Sequence, residues 1–116
     1  MLSPDLQRIE HIRDYCYEIE KTISRYGKSF EIFDADVDYQ RSVSFCILQI
    51  GELGNGLSPD YRSSTEDQIQ WRAIRGMRNL VAHSYGSMSK KIIWMTATTD
   101  IPSLKRFCED QLSITQ

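Results

Sequence analysis

Residues 3–27, "SPDLQRIEHIRDYCYEIEKTISRYG", decide the fold class. Leu6, Ile9, Ile12, Cys16, Ile19, Ile23 and Tyr26 recur at spacings of three and four, which places them on one face of a long helix. Ser3 is positioned to cap its first turn with Pro4 just inside, and Gly27 to stop it.

Outward from this helix the same period continues and no strand alternation of useful length appears. "KSFEIFDADVD" (28–38) reads as a connector with room for one short helical turn. A second long helix begins near Asp36 or Asp38, turns Val43, Cys46, Ile47, Ile50, Leu53 and Leu57 inward, and is broken by "SPDYRSS" (58–64). Gly51, Gly54 and Gly56 each cost roughly 1 kcal/mol of helix propensity against alanine, which makes sense where another backbone packs closely. A third helix starts near Gln70 with Trp71, Ile74, Met77 and Val81 inside and ends around Tyr85 and Gly86. The last part reads as a short helix through Trp94 and Met95, a break at "TTDIP" (98–102), and a final helix carrying Leu104, Phe107 and Leu112. Thr99 or Asp100 would cap that helix, with Pro102 in its first turn. The expected architecture is all-α, a compact antiparallel bundle of four to five helices within one domain spanning residues 1–116.

Composition fits that reading. With 41% apolar and 26% charged residues, 116 residues can bury a core without metals or disulfides. Cys16, Cys46 and Cys108 are dispersed and odd in number, which fits neither a disulfide framework nor a zinc motif and suits a reducing cytoplasm. No signal-peptide pattern opens the chain, and no apolar run approaches the roughly 20 residues of a membrane span. The net charge of −2 gives no global attraction to nucleic acid. It is unevenly placed, however: residues 59–92 carry six bases against three acids.

That basic region contains Arg78, His83 and Tyr85. Arginine offers a permanently charged fork for phosphate oxygens, histidine exchanges a proton near neutral pH, and tyrosine donates a hydrogen bond or stacks on a base. Together they are the parts of a metal-free site for cutting RNA. A base takes the 2′-hydroxyl proton, an acid protonates the leaving 5′-oxygen, and arginine stabilises charge on the phosphate. One chain supplies one suitable histidine, so a two-fold dimer apposing two helix ends would provide both base and acid. The plainer roles are a packing or capping His83, a surface ion pair for Arg78 and a core-edge Tyr85.

The wider strings "WRAIRGMRNLVAHSYG" (71–86) and "IIWMTATTDIPSLK" (92–105) resemble the HepT-like branch of the HEPN superfamily, whose signature is Arg, four residues, His, one residue, Tyr. Arg78, His83 and Tyr85 meet it in full. "QIGELGNGLSPDYR" (49–62) is similar to the family's second-helix segment, and the resemblance runs from about residue 5 to residue 112. It implies a two-fold dimer with facing Arg and His motifs, a metal-independent endoribonuclease toxin without cofactor, and a small MntA-type nucleotidyltransferase antitoxin that adenylylates the tyrosine matching Tyr85. The alternative is a non-catalytic nucleotide-binding partner in which Tyr85 is only the acceptor; a structural dimer with a vestigial motif ranks third.

Supporting residues are expected around this motif. Asn79 could orient a phosphate or the histidine, and Glu52 could pair with an arginine of the cleft. Arg72 and Arg75 precede Arg78 at three-residue intervals, a basic stripe suited to RNA backbone. His11 reads as exposed. Trp71 and Trp94 read as core, and Tyr15, Tyr17 and Tyr26 as core or dimer contacts.

Overall fold

A computed structural model describes residues 2–82 and 89–114. Helix α1 spans Pro4–Tyr26: the Leu6 amide donates to Ser3 Oγ at 3.2 Å, Pro4 fills the first turn, and Gly27 ends it at φ 117° with its amide on the Ile23 carbonyl. A positive φ at that stop is the conformation glycine adopts without steric cost. Ile9, Ile12, Cys16 and Ile19 are fully buried, and Leu6, Ile23 and Tyr26 are half-buried at the ends of the same stripe.

The connector forms a six-residue helix, α2 (Phe30–Ala35), capped by Ser29 and anchored by Phe33. Of the two candidate caps for the next helix, Asp36 does the capping. Its Oδ1 accepts the Tyr39 amide at 3.1 Å, and α3 runs Val37–Asn55 with Val43, Cys46, Ile47 and Ile50 buried. Leu53 is half-buried, and Leu57 is buried two residues beyond the helix.

"SPDYRSS" does break α3, but it is itself helical: α4 spans Pro59–Thr65. Ser58 and Pro59 repeat the Ser-Pro start that opens α1, with Ser58 Oγ accepting the Tyr61 amide at 3.1 Å. Asp5 of α1 locks this start by accepting from the Ser58 amide at 2.8 Å and hydroxyl at 2.6 Å. Helix α5 spans Trp71–Ala82, with Trp71, Ile74, Met77 and Val81 buried as its period requires. The indole N–H of Trp71 donates to Thr65 Oγ1 at 2.8 Å. The expected end of this helix around Tyr85 and Gly86 lies outside the described residues.

The expected break at "TTDIP" is absent. Helix α6 (Ser89–Met95) passes through a π-helical turn, Thr96–Asp100, directly into α7 (Ile101–Ile114), so neither Thr99 nor Asp100 caps a helix. The Ile101 amide reaches back five residues to the Thr96 carbonyl, and Thr98 Oγ1 donates to the Trp94 carbonyl at 2.8 Å. A widened turn just ahead of Pro102 relieves the clash between a proline ring and the carbonyl four residues back. Thr96, Ala97 and Ile101 are buried, so packing holds in the bundle a segment whose local chemistry favours a stop.

Side-chain pairs fix the directions of the long helices. Tyr17 donates to Glu109 at 2.7 Å and Lys105 to Glu20 at 2.8 Å, which makes α1 and α7 antiparallel. Asp5 with Ser58, Tyr15 beside Phe45 and Tyr26 stacked on Tyr39 at 4.7 Å do the same for α1 and the segment through α3. Helix α3 packs in turn on α5. Four long helices therefore carry an antiparallel bundle, joined among the described residues by three short α-helices and the π turn.

Trp71 packs edge-on to Phe107 at 5.6 Å, and Trp94 lies 5.3 Å from Phe33. Both tryptophans are core contacts, Trp71 buried and Trp94 partly buried. Of the tyrosines, Tyr15 and Tyr26 pack against the core, whereas Tyr17 is 40% exposed. No helix among the described residues is long and apolar enough to cross a membrane.

The glycines of α3 sit where the sequence calls for close approach. A Cβ at Gly51 would lie 2.8 Å from the Arg78 backbone nitrogen, and one at Gly54 would lie 3.0 Å from Ile74 Cγ2. At Gly56 the close neighbour is only the flexible end of Arg8. On α5, a methyl group added at Gly76 would meet nothing within 4 Å.

This packing sets opposite outcomes for two glycine replacements. Gly51→Ala gains about 1 kcal/mol of helix propensity but incurs overpacking of about 1–3 kcal/mol against backbone, so its urea midpoint falls, whereas Gly76→Ala raises the midpoint by up to about 1 kcal/mol equivalent. Burial pushes the Cys46 thiol up to about 11 and the Cys108 thiol up to about 12, and raises Cys16 as well. Because the thiolate is the reactive form, the folded protein at pH 8 resists iodoacetamide and all three cysteines label in denaturant, as read by intact mass.

Candidate functional site

The site begins with "GELGN", residues 51–55 at the end of α3. Gly51 and Gly54 let α5 lie directly on α3, and the arginine stems cross the gap. A Cβ at Gly51 would stand 2.9 Å from Arg78 Cγ, and one at Gly54 would stand 3.9 Å from Arg75 Cγ. Because the helices are antiparallel, a step of three up α3 meets a step of three down α5. Glu52 faces Arg78 and Asn55 faces Arg75.

Both arginines are held by the same edge. Glu52 Oε1 pairs with Arg78 Nε, and Asn55 Oδ1 accepts from Arg75 Nε at 3.2 Å. Binding at Nε orients each guanidinium, a planar group with five N–H donors in all. The Arg78–Glu52 pair is half-exposed, at 45% and 49%, and exposed pairs contribute only about 0–1 kcal/mol. A phosphate can therefore draw Arg78 away from Glu52 at small cost, and Glu52 meanwhile limits the positions the guanidinium samples. The expected pairing of Glu52 with an arginine of this region is what the geometry displays.

Arg72 and Arg75 are exposed on the side of α5 away from the buried Trp71, Ile74, Met77 and Val81. Arg72 has no ion-pair partner among the described residues, and Asn79 is exposed beside Arg78 without a side-chain hydrogen bond among them. His83 and Tyr85 lie outside the described residues; in sequence His83 immediately follows Ala82, the last residue of α5. His11 is exposed on α1, as expected, where it borders a groove with Tyr15 and Phe45, apart from the arginines. Among the described residues no group of three His, Cys, Asp or Glu side chains is placed to hold a metal ion.

Sequence reasoning missed Asn55 and Arg62. Asn55 follows Glu52 by three residues, and that helical spacing was its available signal. Arg62 gave no such signal, because its place depends on α4 being a helix that folds back on the end of α3. Its Nη1 donates to the carbonyls of Leu57 and Asn55.

The chain's similarity to known proteins covers this whole arrangement. The family model described as Ribonuclease HepT-like matches residues 6–110. A protein of Caldanaerobacter subterraneus subsp. tengcongensis, provisionally named an RNase, is 31% identical over 98 residues, covering 84% of this chain and 85% of that one. A protein of Thermococcus cleftensis named a probable ribonuclease HepT is 30% identical over 98 residues, covering 80% and 88%. No solved structure matches the chain significantly. With the family model spanning α1 through most of α7, and with the arginine-bearing α5 seated on α3 inside that span, the chain belongs to the HepT-like ribonuclease family.

Proposed function

We propose that this chain is a metal-independent endoribonuclease acting as the toxin of a toxin–antitoxin pair, with Arg78 and His83 of two copies forming one composite site across a two-fold interface. The observation that carries this reading is the exposed, Glu52-oriented guanidinium of Arg78 near the C-terminal end of α5, five residues ahead of His83, in a chain of the HepT-like ribonuclease family.

In this mechanism one His83 takes the proton of a ribose 2′-hydroxyl, and the 2′-oxygen attacks the adjacent phosphorus. The P–O5′ bond breaks, the His83 of the second copy protonates the departing 5′-oxygen, and a 2′,3′-cyclic phosphate remains. Arg78 leaves Glu52 to follow the charge growing on the phosphate oxygens. Asn79, next to Arg78 and exposed, lies within the same neighbourhood to orient a phosphate oxygen. A nucleotidyltransferase antitoxin silences the enzyme by adenylylating Tyr85, which brings negative charge and bulk to the place where the RNA phosphate sits.

Purified protein is expected to cut RNA in EDTA and leave cyclic phosphate ends. Arg78→Ala lowers kcat about 10²–10³-fold and His83→Ala about 10²–10⁴-fold, both with helical circular dichroism retained. An absolute metal requirement, or 3′-hydroxyl ends, would overturn the mechanism. Incubation with the cognate nucleotidyltransferase and ATP adds adenylyl mass to the wild type and none to Tyr85→Phe. If His83→Ala keeps every cellular effect while Tyr85→Phe abolishes regulation, the chain is instead a non-catalytic acceptor, the reading that its net charge of −2 favours.

A further inference from the structure

We propose that the groove between α4 and α5 is a track for the sugar-phosphate backbone of single-stranded RNA, leading along Arg62, Arg72 and Arg75 toward Arg78; this rests on the ribonuclease reading above. The groove has a volume of about 520 Å³, and its described lining contains three arginines against one acid, Glu66.

The charge there is left unneutralised. The ion pairs among the described residues use Arg13, Arg78, Lys90 and Lys105, and none uses Arg62, Arg72 or Arg75. Three cations without an ion-pair partner among the described residues are gathered on a chain of net charge −2, an arrangement in which they repel one another and which suits a polyanion.

Two of the three are also pre-oriented, and by the same residue. The Asn55 carbonyl accepts from Arg62 Nη1 at 3.4 Å, and the Asn55 side chain accepts from Arg75 Nε at 3.2 Å. Arg62 is held further by the Leu57 carbonyl. Each guanidinium thus keeps donors for a ligand while losing little freedom when one binds. Arg72, Arg75 and Arg78 rise by about 4.5 Å per three-residue step, so the stripe continues from the groove to the site without a gap.

The chemistry of the groove selects the backbone rather than the bases. Its tryptophan, Trp71, is only 5% exposed and its indole N–H is already bonded to Thr65, so no stacking platform is open. Binding along the track is therefore tolerant of sequence and dominated by phosphate contacts.

The test uses the full chain and a 2′-O-methylated single strand that cannot be cleaved, with affinity followed by fluorescence anisotropy across a salt series. The Arg72→Gln/Arg75→Gln double variant should lower the slope of log affinity against log salt by about 0.7 per arginine removed. The control is Lys21→Gln/Arg25→Gln: these exposed residues lie near the C-terminal end of α1, whereas Asp5 at its N-terminal end holds α4. The control should keep the wild-type slope, and strands of different base composition should give one slope. An unchanged slope in the arginine double variant, or an equal loss in the control, overturns the track. Wild-type cutting of unmodified RNA, measured on the same preparation, separates the two readings: failure to cut removes the nuclease assignment, while the salt slopes still decide the track. Glu66→Gln is a second variant in the same groove and should tighten binding; a weakening would place the phosphates elsewhere.

Discussion

The contact between α3 and α5 at Gly51 is the constraint on which the rest of the molecule depends. A methyl group there would fall 2.8 Å from the backbone nitrogen of Arg78, closer than side-chain carbons approach backbone in real proteins. Two helices this close exclude the layer of side chains that normally separates them, and residues flanking the contact are then set opposite each other with little latitude. Glu52 and Asn55 acquire their arginine partners in this way. The same approach packs Ile74 and Met77 into the core, so the site and the interior share one helix and one register.

The electrostatics of the arginine face follow from its exposure. A buried Arg78–Glu52 pair would be strongly held and would resist exchange with a ligand; at about half exposure it is weak and exchangeable. The more costly polar arrangements are placed elsewhere. Asp5 holds Ser58, Thr65 holds the Trp71 indole, and Lys105 and Glu109 tie α7 to α1, none of them using the charged face of α5. The thiols of Cys16, Cys46 and Cys108 are buried away from that face and take no part in it.

Local chemistry predicts the structure where burial reinforces it. Ser3 with Pro4, Gly27 and Asp36 act as the sequence suggests because each caps a helix whose apolar stripe is long and continuous. Local signals are incomplete where one of them has two meanings, and one expectation fails where they conflict with packing. "SPDYRSS" contains both a loop composition and a helix start, and the start wins because Asp5 and the Trp71–Thr65 bond stabilise a short helix that alone would not persist. "TTDIP" carries a cap and a proline, yet the chain runs on through a π turn because Thr96, Ala97 and Ile101 are worth more buried than released into a loop.

By itself the sequence determined the helical class, the inward faces of the long helices, the close approach at Gly51 and Gly54, and the chemical identity of Arg72, Arg75, Arg78 and Asn79. These follow from period, capping residues and side-chain type, which are local properties. Tertiary structure decided which α3 residue meets which arginine, that Asn55 joins Arg62 to Arg75, and that a groove lies between α4 and α5. Such pairings depend on the crossing and register of helices far apart in the chain, and periodicity along one helix carries no record of its partner's register.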